Sequence, residues 1–176
     1  LAGLGAVLDG HRVPLFCPNA PIEVEIGFGQ KGYSWYQIGD PGTHKYLDTT
    51  VIALESTLNE ISRKFNIKLS EMVIGGFSQG GMLAMHVGLA TENEFKGVIA
   101  MSARLIGESN TIINPSKIFI SHGTSDQVVS VAEGRRARDT LENYGLDVTY
   151  MEYPMAHEIS TSCLEDLNLW LKNLFE

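Results

Sequence analysis

The sequence predicts an α/β protein in which helices cover both faces of a mostly parallel sheet. Apolar runs at 72–77, 97–103 and 117–123 are short and continuous rather than alternating. Such runs are typical of strands that are buried on both faces. A fourth strand is predicted at 148–153.

Helical patterns alternate with these strands. Residues 44–65 carry apolar side chains at steps of three and four, the spacing of one helix stripe. The members of this stripe are Leu47, Val51, Leu54, Leu58, Ile61 and Phe65. Further helices are predicted at 81–90, at 131–145 with a glycine stop, and at 161–175.

The segment before the first helix has weaker signals. VPLFC at 13–17 is a short apolar run ended by the turn-prone PNAP, which predicts a buried strand followed by a loop. An irregular stretch comes next. Within it, GFGQKG at 27–32 matches G-x-G-x-x-G, but YSWYQI follows instead of a helix. We therefore expect a mobile loop and no dinucleotide site.

Length and charge narrow the class of protein. A chain of 176 residues fits a single domain, 1–176, and the net charge of -8 argues against nucleic acid as a partner. No apolar stretch approaches the roughly 20 residues that span a bilayer, and a signal peptide is not evident, so we expect a cytoplasmic protein without membrane insertion. Cys17 and Cys163 are expected to be buried and reduced rather than bridged.

A G-x-S-x-G pattern, Gly76-Phe77-Ser78-Gln79-Gly80, lies where the first core strand meets the next helix. This is the pattern of a nucleophile elbow, in which glycines permit a strained turn that exposes the serine hydroxyl. Ser78 is the candidate nucleophile. The backbone N–H of Gln79 is the candidate oxyanion donor, because it directly follows the nucleophile.

A serine nucleophile needs a base, and the base needs an orienting acid. Asp126 follows the strand at 117–123, and His157 follows the last strand, so Ser78, Asp126 and His157 are expected at one edge of the sheet. Taken singly, Asp126 reads as a turn or cap residue and His157 as a loop histidine. Their joint placement favours a Ser-His-Asp triad.

The other histidines are assigned no catalytic or metal role. His122 either lines the site or, as we prefer, makes a structural hydrogen bond within its loop. The remaining three lack the spacing of metal ligands: His11, His44 and His86. We expect no metal and no cofactor.

These residues resemble the phospholipase/carboxylesterase family of small α/β-hydrolases, which includes acyl-protein thioesterases and lysophospholipases. The resemblance covers nearly the whole chain, and its most specific part is GFSQGG at 76–81. HGTSDQVV at 122–129 and AHEI at 156–159 also match, as do CPNAP at 17–21 and SWYQI at 34–38.

The resemblance implies an α/β-hydrolase fold and hydrolysis of carboxylic esters or thioesters through an acyl-enzyme. The expected substrate is a small-molecule or lipidated acyl compound with an apolar chain. Trp35 is expected to wall the substrate site, with plain packing as the alternative reading. The formation of a homodimer is left open by the sequence.

The chain departs from the family at its beginning. Members carry a strand ending in L-H-G-x-G, which supplies a second oxyanion N–H, but no such segment precedes LAGLGAVL at 1–8. The sequence is therefore expected to be a fragment, an incompletely described chain, or a short form that needs a partner strand. The alternative function is a catalytically silent hydrolase-fold protein that binds a ligand or partner.

Overall fold

The computed structural model describes residues 14–27, 29–37, 43–91, 93–106 and 116–176. The described residues fall into two compact units. The expectations for LAGLGAVL and for His11 lie outside them.

The unit Phe16–Ile67 contains a hairpin and a long helix. Strands β1, Ile22–Gly27, and β2, Gln30–Ser34, pair antiparallel, and helix α1 follows at Thr43–Phe65. The helix predicted at 44–65 is confirmed. Its stripe buries Leu47 and Leu54 but leaves Phe65 exposed.

The expectation of a mobile loop at GFGQKG is wrong, because most of this motif belongs to the hairpin. Gly27 ends β1 with φ 98°, Gly29 has φ 73°, and β2 begins at Gln30. Positive φ angles are readily adopted by glycine and let the chain reverse tightly between paired strands. The glycines of this pattern therefore shape a turn between strands.

The buried strand predicted at VPLFC is also wrong. Residues 14–17 form no strand and are exposed, and Leu15 keeps 49% of its surface accessible. A strand needs a neighbour for its backbone N–H and C=O groups, and no strand among the described segments pairs with these residues. Cys17 is consequently exposed rather than buried, whereas Cys163 is buried, and both cysteines are free.

The other unit holds a four-stranded sheet in the order β3-β4-β5-β6. The strands are β3 at Val73–Phe77, β4 at Gly97–Met101, β5 at Lys117–Gly123 and β6 at Val148–Tyr153. All three pairings are parallel. Each predicted core strand is confirmed, and their carboxyl ends meet at one edge.

Three helices connect or follow these strands: α2 at Gln79–Ala90, α3 at Val131–Asn143 and α4 at Thr161–Phe175. Serine side chains cap two of them, Ser130 accepting from the N–H of Ala132 in α3. All three predicted helices are confirmed. Within the described part of the chain, no helix is both long and apolar enough to cross a bilayer.

Helices cover both faces of this sheet, as predicted. On one face, Phe119 of β5 shares a buried cluster with Leu167 of α4. On the other, α2 approaches so closely that a Cβ added at Gly88 would lie 2.5 Å from Cγ2 of Val98. The sheet is therefore buried on both sides, which explains why its strands read as continuous apolar runs.

A surface network links β6 to α3. The guanidinium of Arg135 donates two hydrogen bonds of 2.7 Å to the carboxylate of Glu152, and the Tyr150 hydroxyl donates a third of 2.9 Å. Chiefly because of the hydrogen bonds from Arg135, the pKa of Glu152 falls from 4.5 to about 2. A carboxylate with a lowered native pKa stabilises the fold above its unfolded pKa and loses that effect as pH falls through the native value.

We expect Glu152→Gln to lower Tm by about 2 °C at pH 7, because the charge-assisted pair is lost. The difference from the native chain should shrink between pH 4.5 and pH 3, because the unfolded chain takes up a proton at Glu152 in this range while the folded chain does not. Scanning calorimetry across this range checks it, with Glu165→Gln on the exposed face of α4 as the control. A difference that stays constant with pH would mean that Glu152 acts through packing.

Candidate active site

Ser78 lies in the sharp turn between β3 and α2. Its backbone has φ 54° and ψ -121°, a strained conformation for a residue with a side chain. The turn requires glycine at position 76, because a Cβ there would lie only 2.3 Å from the carbonyl carbon of Gly80. Glycine lets α2 start directly against the strand, as the sequence predicts, and the Ser78 N–H donates to the carbonyl of Met101 at 2.8 Å.

Asp126 lies in the loop that follows β5 and is 9% exposed. Its Oδ1 accepts hydrogen bonds from the backbone N–H groups of Val128 at 2.8 Å and Val129 at 2.9 Å. Its Oδ2 lies 2.7 Å from Nδ1 of His157. The two carboxylate oxygens thus have separate partners, so the carboxyl group is held in one orientation.

His157 lies in the loop after β6, and its imidazole joins the other two side chains. Because the Asp126 carboxylate only accepts, Nδ1 carries the hydrogen of this bond, and Nε2 is left to accept. Nε2 lies 2.9 Å from Oγ of Ser78. The structure therefore brings Ser78, His157 and Asp126 into one hydrogen-bonded chain at the carboxyl edge of the sheet.

The loops that carry Asp126 and His157 touch each other through their backbones. A Cβ at Gly123 would lie 2.3 Å from the carbonyl oxygen of Ala156, so this contact requires glycine. The N–H of Ser125 also donates to the carbonyl of Met155 at 3.1 Å. Backbone contacts, rather than side chains alone, set the distance between the acid and the imidazole.

The electrostatic surroundings keep Asp126 ionised. Burial by itself would raise the pKa of this carboxyl, but the hydrogen bonds from His157, Val129 and Val128 outweigh it, so the pKa lies below its ordinary value of 3.8. An ionised carboxylate beside Nδ1 stabilises the imidazolium that forms when His157 accepts a proton.

The structure gives the positions of two further residues that were predicted for the site, Gln79 and Trp35. Gln79 is the first residue of α2 and directly follows Ser78. Trp35 lies half-buried in the unit Phe16–Ile67, where its carbonyl accepts a 2.6 Å hydrogen bond from the hydroxyl of Thr50. The roles of both residues stay predictions.

His122 is fully buried, and its Nε2 lies 2.8 Å from the carbonyl oxygen of Val129. This hydrogen bond joins the end of β5 to the loop that follows it, in agreement with the structural role preferred from the sequence. Among the described residues, no cluster of three or more His, Cys, Asp or Glu side chains could hold a metal ion.

Phe77 was missed by the sequence reasoning. Its ring centroid lies 4.7 Å from that of the His157 imidazole, with the planes tilted by 45°. The contact restrains the ring that bridges Ser78 and Asp126. Phe77 is the variable residue before the serine in G-x-S-x-G, and the pattern does not show what that side chain contacts.

A parallel sheet between helices, with G-x-S-x-G at a strand-to-helix turn, defines an α/β-hydrolase fold. The chain belongs to the phospholipase/carboxylesterase family, whose profile matches residues 7–175. It is a carboxylic ester hydrolase, acting on esters or thioesters. The resemblance read from GFSQGG and its companion motifs is confirmed.

Relatives and solved structures agree with this assignment. In an alignment of 176 positions, the chain is 30% identical to acyl-protein thioesterase 1 of Neurospora crassa, and the alignment covers 89% of this chain and 71% of that protein. It is 26% identical to acyl-protein thioesterase 1 of Yarrowia lipolytica, covering 92% and 78%. The crystal structure of the Bacillus cereus carboxylesterase superposes with a TM-score of 0.84 at 20% identity, covering 98% and 80%. At that identity the superposition speaks for the fold alone.

Proposed function

We propose that this chain is a serine hydrolase in which Ser78 is the nucleophile, His157 the general base and Asp126 the orienting acid. The observation that carries the proposal is the continuous chain of hydrogen bonds, 2.9 Å from Ser78 to His157 and 2.7 Å from His157 to Asp126. Two consecutive hydrogen bonds of this length provide the geometry that an activated serine needs.

In the first half of the reaction, Ser78 Oγ attacks the acyl carbonyl while His157 Nε2 removes its proton. The tetrahedral intermediate collapses, His157 returns the proton to the leaving alcohol or thiol, and the acyl group stays on Ser78. Water then attacks this acyl-enzyme while His157 removes its proton, and His157 returns that proton to Ser78 Oγ as the carboxylic acid product leaves. Asp126 keeps Nδ1 protonated throughout, so Nε2 is always the nitrogen that exchanges the proton.

The charge that develops on the carbonyl oxygen needs a donor nearby. We assign this to the backbone N–H of Gln79, since it opens α2 beside Ser78 and lies at the positive end of the helix dipole. A second donor is not assigned.

The proposed substrates are acyl esters or thioesters with an apolar acyl chain, small or attached to a protein. The relatives named acyl-protein thioesterase support this class. We propose that Trp35 lines the binding site for the acyl chain. We also propose that residues 1–176 form one domain and that the protein acts in the cytoplasm. A homodimer is compatible with this mechanism.

A fluorophosphonate probe tests the nucleophile, because it reacts covalently with an activated serine. The native chain should be labelled, and Ser78→Ala should not. The exposed Ser162→Ala serves as the control and should label as the native chain does. A folded native chain that resists the probe would favour the alternative of a catalytically silent binding protein.

A further inference from the structure

A buried histidine that is not a member of the proposed triad forms a hydrogen bond with the loop that carries Asp126. His122 of β5 is fully buried, and its Nε2 lies 2.8 Å from the carbonyl oxygen of Val129. A carbonyl only accepts, so Nε2 carries the hydrogen of this bond. Within the described residues, Nδ1 has no hydrogen-bond partner.

Val129 is held from two sides. Its N–H donates to Oδ1 of Asp126 at 2.9 Å, while its carbonyl accepts from His122. His122 Nε2 also lies 3.6 Å from Oδ2 of Asp126, the oxygen that faces His157. The hydrogen bond from His122 therefore fixes the peptide segment that decides how the carboxyl group is turned.

Helix α3 makes room for this imidazole. A Cβ at Gly134 would lie 2.5 Å from Nδ1 of His122, so the helix can pack here only with a glycine. Burying a ring nitrogen without a partner is unfavourable, and an aliphatic side chain would fill the same space without that cost. A role in packing alone does not account for histidine here, whereas the donor at Nε2 does.

We propose that His122 is a positioning residue for the hydrolysis: through Val129 it holds Asp126 so that Oδ2 meets Nδ1 of His157. This rests on the proposed function, because it assumes that the pair of Asp126 and His157 works during turnover. Loss of the donor should let the carboxyl group rotate, which lowers the rate of proton transfer more than it changes substrate binding.

The test compares two amides that differ in where they place a donor. In His122→Gln the side-chain nitrogen reaches the region of Nε2, whereas in His122→Asn it stops near Nδ1. With a p-nitrophenyl ester, we expect kcat to fall between about tenfold and 100-fold in His122→Asn, with KM within about twofold. His122→Gln should stay within about threefold of the native kcat, and His86→Asn on α2 is the control.

Equal losses in the Gln and Asn variants, or a native kcat in a folded His122→Asn, would overturn the proposal. If the Asn variant does not fold, Gly134→Ala decides the matter, since its Cβ must displace the imidazole. A folded Gly134→Ala with native kcat would then overturn it, and a selective fall in kcat would support it. Fluorophosphonate labelling of the native chain separates these outcomes from a failure of the proposed function, in which the native chain itself would not react.

Discussion

Asp126→Asn is expected to lower kcat for ester hydrolysis by about 10,000-fold while the protein stays folded. The reason lies in the two-sided hydrogen bonding of the carboxyl group. Oδ1 accepts from two backbone N–H groups, so the oxygen of an asparagine must occupy that position. Its NH₂ group then faces Nδ1 of His157 and donates to it. Nδ1 must accept, Nε2 carries the hydrogen, and the ring can no longer remove the proton of Ser78.

Steady-state kinetics with a p-nitrophenyl ester checks this prediction, and circular dichroism checks that the fold is kept. Asp139→Asn makes the same chemical change on the exposed side of α3 and should leave kcat unchanged. A fall of less than about tenfold in Asp126→Asn would show that the acid is not needed to set the tautomer of His157.

Gly76→Ala is expected to destabilise the protein by about 4 kcal/mol or more, or to prevent folding. The added Cβ would lie 2.3 Å from the carbonyl carbon of Gly80, 2.5 Å from its oxygen and 2.7 Å from the N of Gly81. All three are backbone atoms, so no side chain can rotate away. Either β3 or the start of α2 must move, and Ser78 lies between them.

Urea unfolding followed by tryptophan fluorescence measures the effect. Gly145→Ala is the matched control, because a Cβ there meets nothing within 4 Å and only the backbone conformation, φ 77°, is strained. The control should cost roughly 1–2 kcal/mol. A Gly76→Ala protein as stable as the control would mean that the elbow relaxes and that close packing does not require this glycine.

The parts of the fold that follow a regular apolar pattern could be predicted from the sequence. The four parallel strands bury side chains on both faces, so each reads as a short continuous run, and α1 shows its stripe at helical spacing. The failures have one physical cause. A strand is completed by a partner, and neither the pairing of β1 with β2 nor the lack of one at residues 14–17 is contained in local composition.

The candidate site shows the same division. Ser78, Asp126 and His157 could be proposed together because parallel strands bring their carboxyl ends to one edge, and chain order gives each a role. The contact of Phe77 with His157 depends on distances across loops. The proposed positioning of Asp126 by His122 through Val129 also depends on such distances, since no sequence pattern marks which carbonyl a buried imidazole contacts.

The backbone contact at Gly123 has a consequence for how the catalytic groups are assembled. Asp126 and His157 come from the loops after β5 and β6, two neighbouring strands, and their loops are joined without any contribution from β3. The proposed acid and base are thus held next to each other by contacts between their own loops. Ser78 is brought to these residues by β3, an edge strand among the described ones and paired there only with β4. The proposed proton acceptor and its counter-charge therefore follow two adjacent strands, β5 and β6, whereas the proposed nucleophile follows β3, which β4 separates from that pair.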